Sequence, residues 1–406
     1  MVNLLTKLNF KFNLTNMLYV KRTITPVFKR ALSQFPSVLL TGPRQSGKTT
    51  LLLKEISEPR TYITFDDPLQ RELAMGDPRG FLAAIKDFPV IFDEIQYVPQ
   101  LFPYIKMHID SNRTDSGKWI LTGSQQFHLM KNVTESLAGR IALMDLLPFD
   151  FQEISSFAKR DLEDTLWNSS FPEPAIMPEK RDLWIRSYIQ TYIERDIRQL
   201  INVRDVNFFN HFLVASAARH AQEFKKSVFS RQVGVSQPTI KKWMGILEAS
   251  YLVFLLPPYF RNFGKRLVKS PKFYFLDSAL VAYLTRQPDK SSLIAGPMGG
   301  ALFEGWVVSE TVKAFYNAGK RPDIYFWRSH DGMEVDLIVA IGGRDFPVEI
   351  KLTATPTLKH IDPLKKFIKL LPPEEAGNGL LVCKVEGPVI WPAISRRSRG
   401  MTIPFG

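Results

Sequence analysis

The sequence predicts an α/β chain of about three units, and three observations carry that expectation. Contiguous apolar runs, "SVLL" at 37–40 and "PVIF" at 89–92, have the unbroken hydrophobicity of strands buried on both faces of a parallel sheet. Trp184, Ile185, Tyr188, Ile189, Tyr192 and Ile193 recur at three- and four-residue steps and mark the apolar face of a helix. The stretches "DIYFWRS", "MEVDLIVAI" and "DFPVEIKLT" alternate apolar and polar residues with the period of half-buried strands. At 406 residues the chain is too long for one core.

Composition narrows the partners. A formal charge of +13 favours an anionic partner, because excess Lys and Arg attract phosphate at long range. The single cysteine, Cys383, excludes an internal disulfide and a multi-cysteine metal site and fits a reducing, cytoplasmic setting. No apolar run reaches the roughly 18 to 20 residues a bilayer span needs, so no membrane partner is expected. Residues 1–20 read as a disordered or mis-started extension, since Asn and Lys interrupt every apolar stretch there.

The first unit, 21–150, is organised by "SVLLTGPRQSGKTT". Here a buried strand runs into Gly42, four residues follow, and Gly47, Lys48 and Thr49 open a helix. This is the GxxxxGK[ST] phosphate loop, in which the segment Gly42, Pro43, Arg44, Gln45, Ser46, Gly47, Lys48, Thr49 and Thr50 wraps the phosphates of ATP, every residue but Pro43 offering a backbone N–H. Lys48 adds a point charge and the Thr49 hydroxyl ligates Mg2+. Glycine is expected at 42 and 47 because a side chain would hold the backbone off the nucleotide. At the end of the second strand, Asp93 holds the magnesium and Glu94 orients and deprotonates the attacking water. A third strand, "KWILTGSQ", brings Ser124 and Gln125 forward as candidates to sense the γ-phosphate.

Together with "YITFDDP" and "SLAGRIALMDLLPFDFQE", and later "YIQTYIERDI" and "FWRSHDGMEVDLIV", these residues resemble the P-loop AAA+ ATPases. The resemblance is to a prokaryotic family that joins such a domain to a C-terminal domain of unknown function. It implies that Arg140 stabilises transition-state charge, which requires a homo-oligomer if it acts across subunits.

The second unit begins with a helical linker or lid, 151–202, followed by a winged helix-turn-helix, 203–280. "FSRQVGVSQPTIKKWMGILEASYLVFLL" reads as a helix, a turn at Gly234, and a second helix capped by Ser236 with Pro238 in its first turn. Ile240, Trp243, Met244 and Leu247 line its inner face, leaving Gln237, Thr239, Lys241 and Lys242 toward solvent as on a recognition helix. Strands at 251–256 and 272–276 flank a loop bearing Arg261, Lys265, Arg266 and Lys269, as a DNA-contacting wing would.

In the third unit, 295–395, Gly342-Gly343 is a two-residue hairpin signal. With Ile341 opposite Arg344, counting back sets Asp336 opposite Glu349 and Glu334 opposite Lys351, about 4.5 to 5.5 Å apart at Cβ. A four-residue loop keeps all four on one face, whereas a three-residue loop separates Asp336 from Glu349. Opposed carboxylates repel unless something neutralises them, and a divalent cation does so. An Asp followed by Glu-x-Lys on the next strand resembles the restriction-endonuclease-like, or PD-(D/E)xK, nucleases. By that resemblance Asp336, Glu349 and the helix acid Glu304 hold Mg2+, and Lys351 helps activate water; whether Glu304 or Glu310 is the helix acid that faces the hairpin is left open by the sequence. The proline common before the first acid is absent here. The expectation is a MgATP-dependent ATPase acting on DNA. The alternative is a nucleotide-dependent switch that binds a protein partner and carries an inactive nuclease-like fold.

Overall fold

The computed structural model describes residues 18–57, 59–123, 136–193, 206–260 and 270–384. The N-terminal unit is a five-stranded parallel sheet of β1 (Ser37–Thr41), β2 (Thr61–Thr64), β3 (Val90–Asp93), β4 (Trp119–Gly123) and β5 (Ile141–Asp145), in the order β2-β3-β4-β1-β5. The contiguous apolar run has a direct packing reason. Val38 and Leu40 join Ile91 and Ile120 in the core on one face, while Leu39 joins Phe92 and Leu121 on the other. Parallel register sets Thr41 beside Gly123 and Asp145, so the C-terminal ends of the strands form one polar edge.

The middle of the chain is helical through Arg181–Tyr188, where Trp184, Ile185 and Tyr188 are buried as their spacing demands. The side chains of Tyr192 and Ile193 lie outside the described residues. Helices Val206–Ala218, Lys226–Val233 and Gln237–Ala249 then pack on a three-stranded sheet of β6 (Gln222–Glu223), β7 (Val253–Leu256) and β8 (Lys272–Phe275), ordered β6-β8-β7. Gly234 ends the second helix in the left-handed region, φ 81°, and the Ser236 side chain caps the third by accepting from Thr239 N. Ile240, Trp243, Met244 and Leu247 are fully buried, Gln237, Lys241 and Lys242 exposed, and Thr239 half-buried. The strand expected at 251–256 starts only at Val253, because Tyr251 takes a left-handed backbone, φ 56°. Arg261, Lys265, Arg266 and Lys269 lie outside the described residues.

The C-terminal unit sets helix Gly299–Asn317 against a sheet ordered β12-β11-β10-β9, built from β9 (Ile324–Arg328), β10 (Glu334–Ile341), β11 (Arg344–Lys351) and β12 (Leu380–Cys383). Gly342 and Gly343, both at positive φ, make a two-residue turn with Ile341 opposite Arg344. One hydrophobic core runs without interruption from Leu147 through Phe212, Trp243 and Phe273 to Val312 and Ile350. Among the described residues, no helix is long and apolar enough to cross a membrane.

Candidate functional site

Gly42 leaves β1 at φ 143°, and a Cβ there would fall 2.2 Å from the Leu146 carbonyl oxygen. The need for glycine at this position is therefore set by the strand-end backbone of the protein itself, a constraint the sequence reading ascribed to the nucleotide. Gln45 at φ 61° and Gly47 at φ 92° complete the curl that starts helix Lys48–Glu55. Lys48 folds back over the loop, donating to the carbonyls of Gly42 (3.0 Å) and Pro43 (2.8 Å). Burial lowers the pKa of its ammonium, and Glu94 and Asp93 counter that shift. Ser46 Oγ is buried with no hydrogen-bond partner.

Asp93 gathers three hydroxyls. Oδ2 accepts from Thr49 (2.9 Å) and Tyr62 (2.8 Å), and Oδ1 accepts from Thr122. Glu94 follows in the left-handed region, φ 55°, and accepts from the Gln96 amide. These donors fit a hydrated magnesium with phosphate oxygens: an Asp and a hydroxyl in contact, a cation on the loop, and an acid beside them. Ser124 and Gln125 lie outside the described residues, and Thr50 sits within the first turn of the helix.

Arg140 stands just before β5, level with the start of β1, at the far end of the sheet from the loop. Its guanidinium makes a fork with Asp110, at 2.7 and 3.1 Å. Five strand residues at roughly 3.3 Å each separate it from the loop of its own chain.

Two supports of the loop escaped the sequence reading. Arg22, buried at 4% exposure, donates to Ser46 O (2.8 Å) and Leu147 O (2.6 Å) and pairs with Glu153 at 3.0 Å. Tyr251, which follows the capped helix, reaches Thr41 Oγ1 and Asp145 at the foot of the loop. Each works through a contact distant in sequence.

The second polar cluster forms on the hairpin. Asp336 Oδ2 accepts from Ile350 N (2.9 Å) and from Lys351 Nζ (3.0 Å), and Lys351 reaches Glu349 Oε1 at 2.6 Å. The other oxygen, Glu349 Oε2, is buried without a hydrogen-bond partner. Burial, reinforced by Asp336, pushes the Glu349 carboxyl up to about 7. Glu334 does not partner Lys351: it pairs with Arg328 and Lys272. Glu304 is likewise engaged, accepting from Lys272 Nζ (2.9 Å) and the Tyr274 hydroxyl (2.6 Å).

Two carboxylates with an orphaned oxygen fit a divalent ion at Asp336 and Glu349. The expected trio with Glu304 is not assembled, since among the described residues no three His, Cys, Asp or Glu side chains converge. The signal the sequence did hold was Lys272 itself, a cation in the otherwise apolar strand "KFYF".

Three family models match the chain. An AAA domain matches residues 34–155, a domain of unknown function (DUF8612) residues 159–291, and another (DUF4143) residues 299–392. The Walker-type ATPase PABY2304 of Pyrococcus abyssi superposes with a TM-score of 0.47 at 16% identity, covering 66% of this chain and 96% of that one. The uncharacterized protein MJ1544 of Methanocaldococcus jannaschii is 23% identical over 58% of this chain and 59% of its own length. Uncharacterized proteins Rv2008c of Mycobacterium tuberculosis and Mb2031c of Mycobacterium bovis are each 32% identical over 348 residues, 85% of this chain and 76% of theirs. The chain carries an ATPase-like P-loop domain of the AAA type, and it belongs to the family of these two mycobacterial proteins.

Proposed function

We propose that this protein binds and hydrolyses MgATP and uses the cycle to act on DNA. The observation that carries the reading is the Thr49 hydroxyl donating to Asp93 directly beneath a phosphate loop that opens a helix. Thr49 and Asp93 would hold magnesium, which supplies charge neutralisation between the phosphate oxygens. Lys48 exchanges its loop carbonyls for phosphate oxygens, a stronger, charge-assisted pairing. Glu94, steadied by Gln96, orients water and takes its proton. Arg140 faces away from its own loop, so its role as a transition-state cation requires a second copy of the chain.

The DNA part of the reading is supported by the winged-helix order of helices and strands, by exposed Gln237, Lys241 and Lys242 on the capped helix, and by the +13 charge. The nuclease-like part is supported by Asp336, Glu349 and Lys351 meeting on one hairpin face. One observation favours the rival, a protein-binding switch with an inactive nuclease fold: Glu304 is held by Lys272 and Tyr274, away from the hairpin pair.

The test is plasmid cleavage and ATP turnover by wild type, Lys48→Ala and Asp336→Ala, with Mg2+ or Mn2+. The reading expects turnover lost in Lys48→Ala and cutting lost in Asp336→Ala. ATP turnover without cutting under any condition would turn it toward the switch, and no turnover at all would overturn its core.

A further inference from the structure

We infer that Lys272, contributed by β8 of the middle unit, is the resident counter-cation of Glu304 and Glu334 and keeps these two acids from joining a divalent metal at the hairpin pair. Lys272 is 4% exposed and its ammonium contacts Glu304 and Glu334, while Lys351 pairs with Asp336 and Glu349. Glu304 and Glu334 thus share one lysine and Asp336 and Glu349 another, with Arg328 as a third cation on Glu334. Glu304 Oε1 already accepts from both Lys272 and Tyr274, which leaves that oxygen poorly placed to ligate a metal. Glu349 Oε2 is buried without a hydrogen-bond partner and is the oxygen through which a cation would be held. A divalent ion wants six or so oxygen ligands, so a pair of acids with Lys351 beside them binds it weakly. Removing the ammonium of Lys272 leaves Glu304 without this counter-ion and Glu334 with Arg328, so that both acids can turn toward the hairpin pair.

The strand that carries this lysine is tied to the nucleotide loop. Lys272 and Tyr274 pair in register with Leu256 and Phe254 of β7, the strand that follows Tyr251. Tyr251 in turn touches Thr41, the residue before Gly42. The ladder therefore spans from the foot of the phosphate loop to the acid cluster, and a shift of β8 is what would withdraw the lysine.

The inference rests on reading the cluster as a metal centre, and the experiment separates the two. Mn2+ binding by the nucleotide-free full chain is followed by electron paramagnetic resonance for wild type, Lys272→Met, Lys272→Arg, Asp336→Asn and Lys272→Met/Asp336→Asn. Lys272→Met is expected to bind one ion about tenfold or more tighter than wild type, Lys272→Arg to match wild type, and the double variant to lose the gain. Asp336-dependent Mn2+ binding that Lys272→Met does not tighten overturns the inference alone. Mn2+ binding indifferent to Asp336 in every variant overturns the metal-centre reading as well. Should the methionine variant fail to melt cooperatively, Lys272→Gln, neutral but still able to hydrogen-bond, carries the same outcomes.

Discussion

Tyr251 Oη lies 2.9 Å from Thr41 Oγ1, joining the end of helix Gln237–Ala249 to the last strand residue before the phosphate loop. Both hydroxyls also lie within hydrogen-bond reach of Asp145, and burial together with that carboxylate raises the tyrosine pKa. Tyr251→Phe removes one donor from a half-buried acid, which should cost about 0.5–1.5 kcal/mol in denaturant unfolding. The same variant should change ATP affinity without touching a phosphate-binding residue. Unaltered stability and affinity together would show that the contact is incidental.

Glu94 and Lys48 should separate chemistry from binding. Glu94→Gln is expected to keep ATP affinity and to slow turnover by about 100-fold or more. Lys48→Ala is expected to lose nucleotide affinity while melting as a folded protein, because its ammonium hydrogen-bonds the carbonyls of its own loop, Gly42 and Pro43. Equal losses of binding in both variants would contradict the assignment of Glu94.

Gly42→Ala should be far more harmful than alanine at an exposed glycine such as Gly343. Its Cβ would collide with the Leu146 carbonyl at 2.2 Å, and the backbone sits at φ 143°. A loss of at least about 2–3 kcal/mol is expected from the strained backbone and the displaced strand end. Wild-type thermal stability in that variant would refute the packing argument.

Glu349 gives a pH signature. Its carboxyl is raised from 4.5 to about 7, so the native state favours the neutral form. The contribution to stability is complete below about 4.5 and disappears as pH rises through about 7. Glu349→Gln should therefore stabilise the apo protein above pH 7, by something on the order of 1–3 kcal/mol, and leave it unchanged near pH 4.5. Melting curves that differ equally at both pH values would contradict this.

What could be read from the sequence was what is local in the chain. The phosphate loop announces itself because strand, glycines, lysine and helix are contiguous, and Asp93 follows a run too apolar to be anything but a buried strand. The hairpin register follows from two glycines at positive φ, the conformation a two-residue turn demands. The partners of Glu304 and Glu334 were hidden because Lys272 and Tyr274 arrive from a different unit, 30 or more residues away. Arg22 was hidden likewise, since its acceptors lie 24 and 125 residues on. Period and spacing reveal which face a residue takes, and leave open what another unit brings to that face.

The uninterrupted core from Leu147 to Ile350 bears on how this chain can be dissected or inherited. Leu302, Val308 and Val312 of helix Gly299–Asn317 bury themselves in the same oil as Phe212, Trp243 and Phe273. A fragment trimmed to the hairpin unit would bring those side chains to water and strip away Lys272 and Tyr274. Any rearrangement that grafts the acid cluster onto another ATPase has to carry the middle helices with it as one heritable block.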